Sequence, residues 1–317
     1  MESDQPEHSL PSGHILRPVW SVVFSICTIL FGFVVIGPLV GMLAGVIFYP
    51  GSITQFAEEF SNGIQLKEIM RVPLMVMQGF VTAVGLVVMP WLFLRYLENI
   101  RVTGLFRPVS WIVLGLTGVA VVLFMLPNSI LIEWNSNLTF PGQWDTLIRD
   151  REEDAAALTR FLTTFPDFSQ FLLGFLIVAV LPALGEELAF RGMLQPAMVR
   201  LSGNPHVAIW ITAILFSALH MQFLGFVPRV MLGALFGYMA HWSGSLWLPI
   251  AAHLVNNGLS VILLYMNQTG LSGINPETTE AAPLALVIPG AVLLVLVILL
   301  IRKKLHALRE NQPEPVQ

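Results

Sequence analysis

The sequence predicts an all-α polytopic membrane protein, a helical bundle of about eight transmembrane helices. Three observations lead there. The hydrophobic fraction is 55% and the mean hydropathy is +0.75. Only 11% of the 317 residues are charged, against about 25% in ordinary soluble domains. That is too little charge to cover a soluble chain of this size. The apolar residues also fall in long runs, and about 20 of them carry an α-helix across a bilayer. These numbers exclude a disordered chain and an ordinary cytosolic enzyme. A net charge of −4 leaves no basic footprint for phosphate backbones, so nucleic acid is not expected as a partner and the lipid bilayer is.

Taken in order, the first ~18 residues are polar, with Glu2, Asp4 and Glu7 and one basic residue, Arg17. A secretory signal has a basic start and a short apolar region, so this is not one. Apolar stretches follow at roughly 20–49, 73–97, 109–130, 168–190, 206–222, 224–242, 246–266 and 282–301. They lack the period-2 alternation of a membrane barrel, and an open sheet would leave its edges unpaired in lipid. Residues 50–72 are mixed polar and apolar, which suits a short interfacial helix. The loop 131–167 contains a charged cluster, Asp150 to Asp154, that reads as a solvated helix face. Three regions result. Residues 1–165 hold the tail and about three spans, 166–270 form a core, and 271–317 hold the last span and a basic tail. Arg302, Lys303 and Lys304 follow the last span. With an even number of spans, the excess of Lys and Arg then places both termini in the cytoplasm, in a membrane expected to be the bacterial inner one.

The informative residues are charges inside apolar runs, because a charge at bilayer depth is costly and usually functional. Phe171 to Gly185 is apolar and leads directly into Glu186-Glu187-Leu188-Ala189-Phe190-Arg191, after which apolar residues resume as far as Leu201. One long helix from about 168 to 201 is expected, bent at Pro182 or Pro196. Glu187 and Arg191 are i and i+4 and share a face. Glu186 points ~100° away and has no local partner. The turn at Ser202-Gly203-Asn204-Pro205 reverses the chain. Glu186 and His220 each lie 17 residues from Gly203, so in an antiparallel hairpin both stand roughly 25 Å from the turn. His253 and Asn257 are i and i+4 on a later helix, with His253 about 13 Å from the turn at Gly244. Asn256 is expected to face elsewhere, and His206 and His241 are expected at the interface.

One carboxylate, two imidazoles and a carboxamide in an apolar shell suit water activation. A carboxylate or imidazole takes the proton, and a His or Asn N–H holds the developing oxyanion. They equally suit a divalent metal such as zinc, with His220, His253 and Glu186 as candidate ligands. The spacing does not choose between a metal site and none. The single cysteine, Cys27, excludes a thiolate zinc site and an intrachain disulfide. HExxH and GxSxG are both absent.

Glu186-Glu187-Leu-Ala-Phe-Arg191 is EExxxR, Phe216-Ser-Ala-Leu-His220 is FxxxH, and His253-Leu-Val-Asn-Asn257 is HxxxN. In this order on successive helices, over roughly 168–266, they resemble the signature of the CPBP intramembrane proteases. That family includes the CAAX prenyl endopeptidases and is also called Abi. The resemblance implies an intramembrane endopeptidase acting on a membrane-associated peptide or protein. It implies that Glu186 and His220 activate water, that His253 and Asn257 form the oxyanion site, and that Glu187 and Arg191 support them. Two other classes fit buried Glu, Arg and His: a proton-coupled transporter, and a non-catalytic immunity or scaffold protein that keeps the fold.

Overall fold

The computed structural model describes residues 15–61 and 66–310. Glu2, Asp4, Glu7, His8 and His14 lie outside the described residues. Among the described residues there are ten helices and no strands: α1 Pro18–Ile47, α2 Ile53–Ser61, α3 Glu68–Leu97, α4 Trp111–Ser136, α5 Gln143–Leu162, α6 Phe168–Ser202, α7 Pro205–Ala218, α8 Phe226–Ser243, α9 Trp247–Gln268 and α10 Leu284–Glu310. Six of these, α1, α3, α4, α6, α9 and α10, are long and apolar enough to cross a membrane. All eight expected apolar segments are helical, but α8 is not among the six, and α7 has only 14 residues. At 1.5 Å per residue it reaches about 21 Å, short of a ~30 Å hydrocarbon core.

Two loops of the sequence reading contain helices. The stretch 50–72 holds α2 and a 3₁₀ turn at Glu68–Met70. The stretch 131–167 holds the 20-residue α5. Its run of Arg, Glu, Ala and Leu consists of strong helix formers, and Phe161 and Leu162 at its end pack into a core with Met70 and Leu74 of α3. Arg71 anchors the far end of α5. Its Nη1 donates to the carbonyls of Phe161 (2.5 Å) and Thr164 (2.6 Å), satisfying acceptors that a helix C-terminus leaves free.

Proline shapes the long helices. Pro38, Pro90, Pro182 and Pro196 lack an N–H for the carbonyl four residues back. In each case a wider turn precedes the proline. Gly37 donates to the Gly32 carbonyl, Met89 to Val84, Leu181 to Leu176 and Gln195 to Phe190, all five residues back. These are π-type turns, a common way for a helix to absorb a local mismatch. One long helix spans the expected stretch as α6, with π-type turns before Pro182 and Pro196, and α1 and α3 use the same device.

Helix α6 is central. Leu188, Ala189, Phe190, Met193 and Leu194 pack with Val22 and Ile29 of α1, Leu86 and Phe93 of α3, and Phe216 of α7. A second core joins α4, α8, α9 and α10 through Val113, Phe236, Leu248 and Leu294. Glycines with positive φ, Gly203 (+64°) and Gly244 (+62°), end α6 and α8. These are left-handed C-caps, and they make the two tight reversals that bring α7 and α9 back alongside their predecessors.

Candidate active site

The site is built from the middle of α6. Glu187, Arg191 and Gln195 lie at i, i+4 and i+8 and so form one polar stripe. The stripe faces α8. Arg191 Nη2 donates to the Gly233 carbonyl (2.8 Å) and Gln195 Nε2 to the Gly237 carbonyl (3.1 Å). Gly237 permits this approach, since a Cβ there would stand 2.9 Å from Gln195 Oε1 and 2.9 Å from Ile209 Cγ2. Arg191 Nη1 donates to Glu187 Oε1 at 3.0 Å, and both side chains are fully buried. The guanidinium also lies over the rings of Phe216 (4.7 Å), Phe236 (5.7 Å) and Phe190 (5.9 Å), where a cation is attracted to the ring faces.

His253 of α9 completes this centre. Its Nδ1 lies 2.7 Å from Glu187 Oε1, so Nδ1 carries the proton and the carboxylate accepts. Its Nε2 faces Glu186, 3.9 Å from Oε2. Glu186 is partly open, at 17% side-chain exposure, while Glu187 is sealed. Adjacent carboxylates thus occupy different environments, and one imidazole stands between them. The ring of Phe236 stacks on His253 at 5.2 Å.

His220 is two residues beyond the end of α7, in an exposed turn and not on a helix as the sequence reading placed it. The apolar run continues to 222, but Met221 takes a positive φ of 54°. A left-handed residue cannot continue a right-handed helix. His220 Nδ1 lies 2.8 Å from the Phe216 carbonyl. A carbonyl only accepts, so Nδ1 is the protonated nitrogen and Nε2 is free in the neutral ring. Glu186, His253 and Arg229 are near enough for their charges to act on His220. The Phe216 ring touches both imidazoles edge-on, His220 at 5.0 Å and His253 at 6.3 Å between centroids. Arg191, His220 and His253 therefore surround Phe216, and Glu187 and Glu186 join them through His253.

Asn257 has other contacts. Its Nδ2 donates to the Val178 carbonyl at 3.2 Å. That is the acceptor which Pro182, four residues on, has no N–H to serve. Its Oδ1 accepts from Asn256 Nδ2 at 3.0 Å. Asn256 was expected to face away, yet its side chain reaches its neighbour's. Asn257 lies one turn beyond His253 on α9, and one of its two amide hydrogens is left over. His206 of α7 contacts the Tyr238 hydroxyl (3.0 Å) at an exposed position.

Among the described residues, no group of three or more His, Cys, Asp or Glu side chains is placed to hold a metal ion. His253 commits Nδ1 to Glu187. The ligand set Glu186, His220 and His253 is not assembled.

Sequence reasoning missed Gln195, Phe236 and Arg229. Gln195 was findable as the next position of the Glu187–Arg191 stripe. Phe236 and Arg229 lie on α8 with no local pattern to mark them.

Residues 168–259 match the family model described as type II CAAX prenyl endopeptidase Rce1-like. A protein of Bacillus subtilis (strain 168), named "Uncharacterized protein YpbD", is 31% identical over 84 residues. That stretch is 25% of this chain and 40% of the relative's length. No solved structure matches. Together with the six apolar helices, the family match supports an integral membrane protein with a protease-like function.

Proposed function

From the Rce1-like match over residues 168–259 we propose that the protein is an intramembrane endopeptidase that hydrolyses a peptide bond in a membrane-associated peptide or protein. The observation that carries this reading is His253, fixed at Nδ1 by buried Glu187 and facing the partly open Glu186 at Nε2.

Glu186, with His220, takes a proton from water as the water oxygen bonds to the scissile carbonyl carbon. His220 suits this role because its Nε2 lone pair is uncommitted. The proton then passes to the leaving amine as the C–N bond breaks. His253, when protonated on Nε2, donates to the developing oxyanion, and the second amide hydrogen of Asn257 lies one turn away on the same face. Glu187 orients His253, and Arg191 holds Glu187. The Phe216 and Phe236 rings exclude water, which strengthens each of these hydrogen bonds. We further place both termini on the cytoplasmic face of a bacterial inner membrane, on the strength of Arg302, Lys303 and Lys304 after the last span.

The test is cleavage of membrane-anchored fluorogenic peptides, prenylated CAAX sequences included, by purified protein in liposomes. Glu186→Ala and His220→Ala should each lower turnover about 10²–10⁴-fold with folding intact. Full activity in Glu186→Ala would sink the mechanism.

A further inference from the structure

Residues 219–225, which join α7 to α8 and carry His220, are held from outside the hairpin. Buried Asn135 at the end of α4 clamps the segment's far end. Its Nδ2 donates to the Phe223 carbonyl (2.9 Å), and its Oδ1 accepts from Val227 N (2.7 Å). Glu152 of α5 reaches the same segment and its Oε1 accepts from Leu224 N at 2.9 Å. Arg229 of α8 donates from Nη2 to Gln222 Oε1 at 2.7 Å, and its guanidinium lies against Gly225, where a Cβ would stand 3.1 Å from Nη2. Glu152 and Glu186 both act on the Arg229 charge, and Arg229 acts on His220.

Asp150, Glu153 and Asp154 of the same helix are exposed, and Glu153 pairs with Arg160 at 2.5 Å. Glu152 alone of this cluster turns inward. Helix α5 is largely polar and docks through Phe161 and Leu162 at its far end. One carboxylate on it nevertheless serves a backbone N–H four residues from His220 and neighbours the arginine that borders the site.

We infer that Glu152 is a positioning residue for His220: by accepting Leu224 N–H and neighbouring Arg229 it fixes the turn that presents His220 to Glu186. This rests on the endopeptidase reading for its kinetic consequence, but not for its structural one. Without Glu152 a partly buried N–H loses its acceptor, and the turn loses its tie to α5.

The experiment uses full-length protein in liposomes, with Glu152→Ala, Glu152→Gln, the exposed control Glu153→Ala, and Glu186→Ala. Amide hydrogen exchange is followed over residues 219–227, alongside kcat and KM for a cleaved reporter peptide. In Glu152→Ala exchange should rise in that segment, and kcat should fall about three- to tenfold with KM little changed, the size expected from one lost hydrogen bond. Glu152→Gln keeps an acceptor oxygen for Leu224 N–H and should restore most of both. Glu153→Ala should change neither. Unchanged kcat in Glu152→Ala, with Glu186→Ala inactive, overturns the inference and leaves the endopeptidase reading standing. If the wild type cleaves nothing, the endopeptidase reading fails, and unchanged exchange in Glu152→Ala then overturns this inference separately.

Discussion

Glu187 Oε1 accepts two hydrogen bonds at once, from Arg191 Nη1 within its own helix at 3.0 Å and from His253 Nδ1 across the bundle at 2.7 Å. Its other oxygen has no hydrogen-bond partner among the described residues. One buried oxygen therefore ties the charge of α6 to the imidazole of α9. Glu187→Ala would strand a buried guanidinium, a loss of about 3–5 kcal/mol for a broken buried pair. Thermal unfolding in detergent should show it. Glu187→Gln keeps the accepting oxygen and should fold, with lower turnover because His253 loses its carboxylate. The double change Glu187→Leu with Arg191→Met should unfold later than Glu187→Ala, since no charge is left unpaired.

Asn257 and Pro182 are coupled through one carbonyl. Asn257→Ala leaves the Val178 carbonyl without its donor, at a cost of about 1–3 kcal/mol. Pro182→Ala restores an N–H four residues along, so α6 can serve that carbonyl itself. In the Pro182→Ala background, Asn257→Ala should cost clearly less. A double-mutant cycle from melting curves measures the difference, and strict additivity would refute the coupling.

At Gly237 a Cβ would stand 2.9 Å from both Gln195 Oε1 and Ile209 Cγ2. Neither neighbour can withdraw freely from a buried helix contact. Gly237→Ala should destabilise by about 1–3 kcal/mol, the usual cost of overpacking. Calorimetry of the purified variant checks this.

Asp167 caps α6 by accepting from Ser169 Oγ (2.6 Å) and Gln170 N (2.9 Å). The Ser169 hydroxyl first, and then the Gln170 N–H, hold its carboxyl below the ordinary aspartate range. A depressed folded-state pKa contributes stability above the unfolded pKa and loses it as pH falls through the folded value. The cap should be fully effective at neutral pH and fade in acid. Asp167→Asn, which also caps, should melt like wild type at neutral pH and show a shallower acid decline. Identical acid profiles would refute the assignment.

The sequence alone determined that the chain is helical and membrane-bound, because apolar run length and charge scarcity are properties of the chain itself. It also placed Glu187 beside Arg191, since a four-residue spacing sets a shared helix face whatever surrounds it. The prolines were equally legible, because a missing N–H disturbs the turn before it in any helix. Tertiary structure decided the rest. The sequence pointed to Glu186 as the unpaired charge, but only packing shows that it faces His253, because α9 lies more than sixty residues away in the chain. Local spacing put His220 on a helix, and the positive φ of Met221 ends that helix before it arrives. The motif marks Asn257 for the oxyanion site, but the Val178 carbonyl of a neighbouring helix, which Pro182 cannot serve, claims one of its donors. Local geometry is written in spacing that a reader can count. Which polar groups are left over is settled only when distant helices meet and each buried donor finds an acceptor.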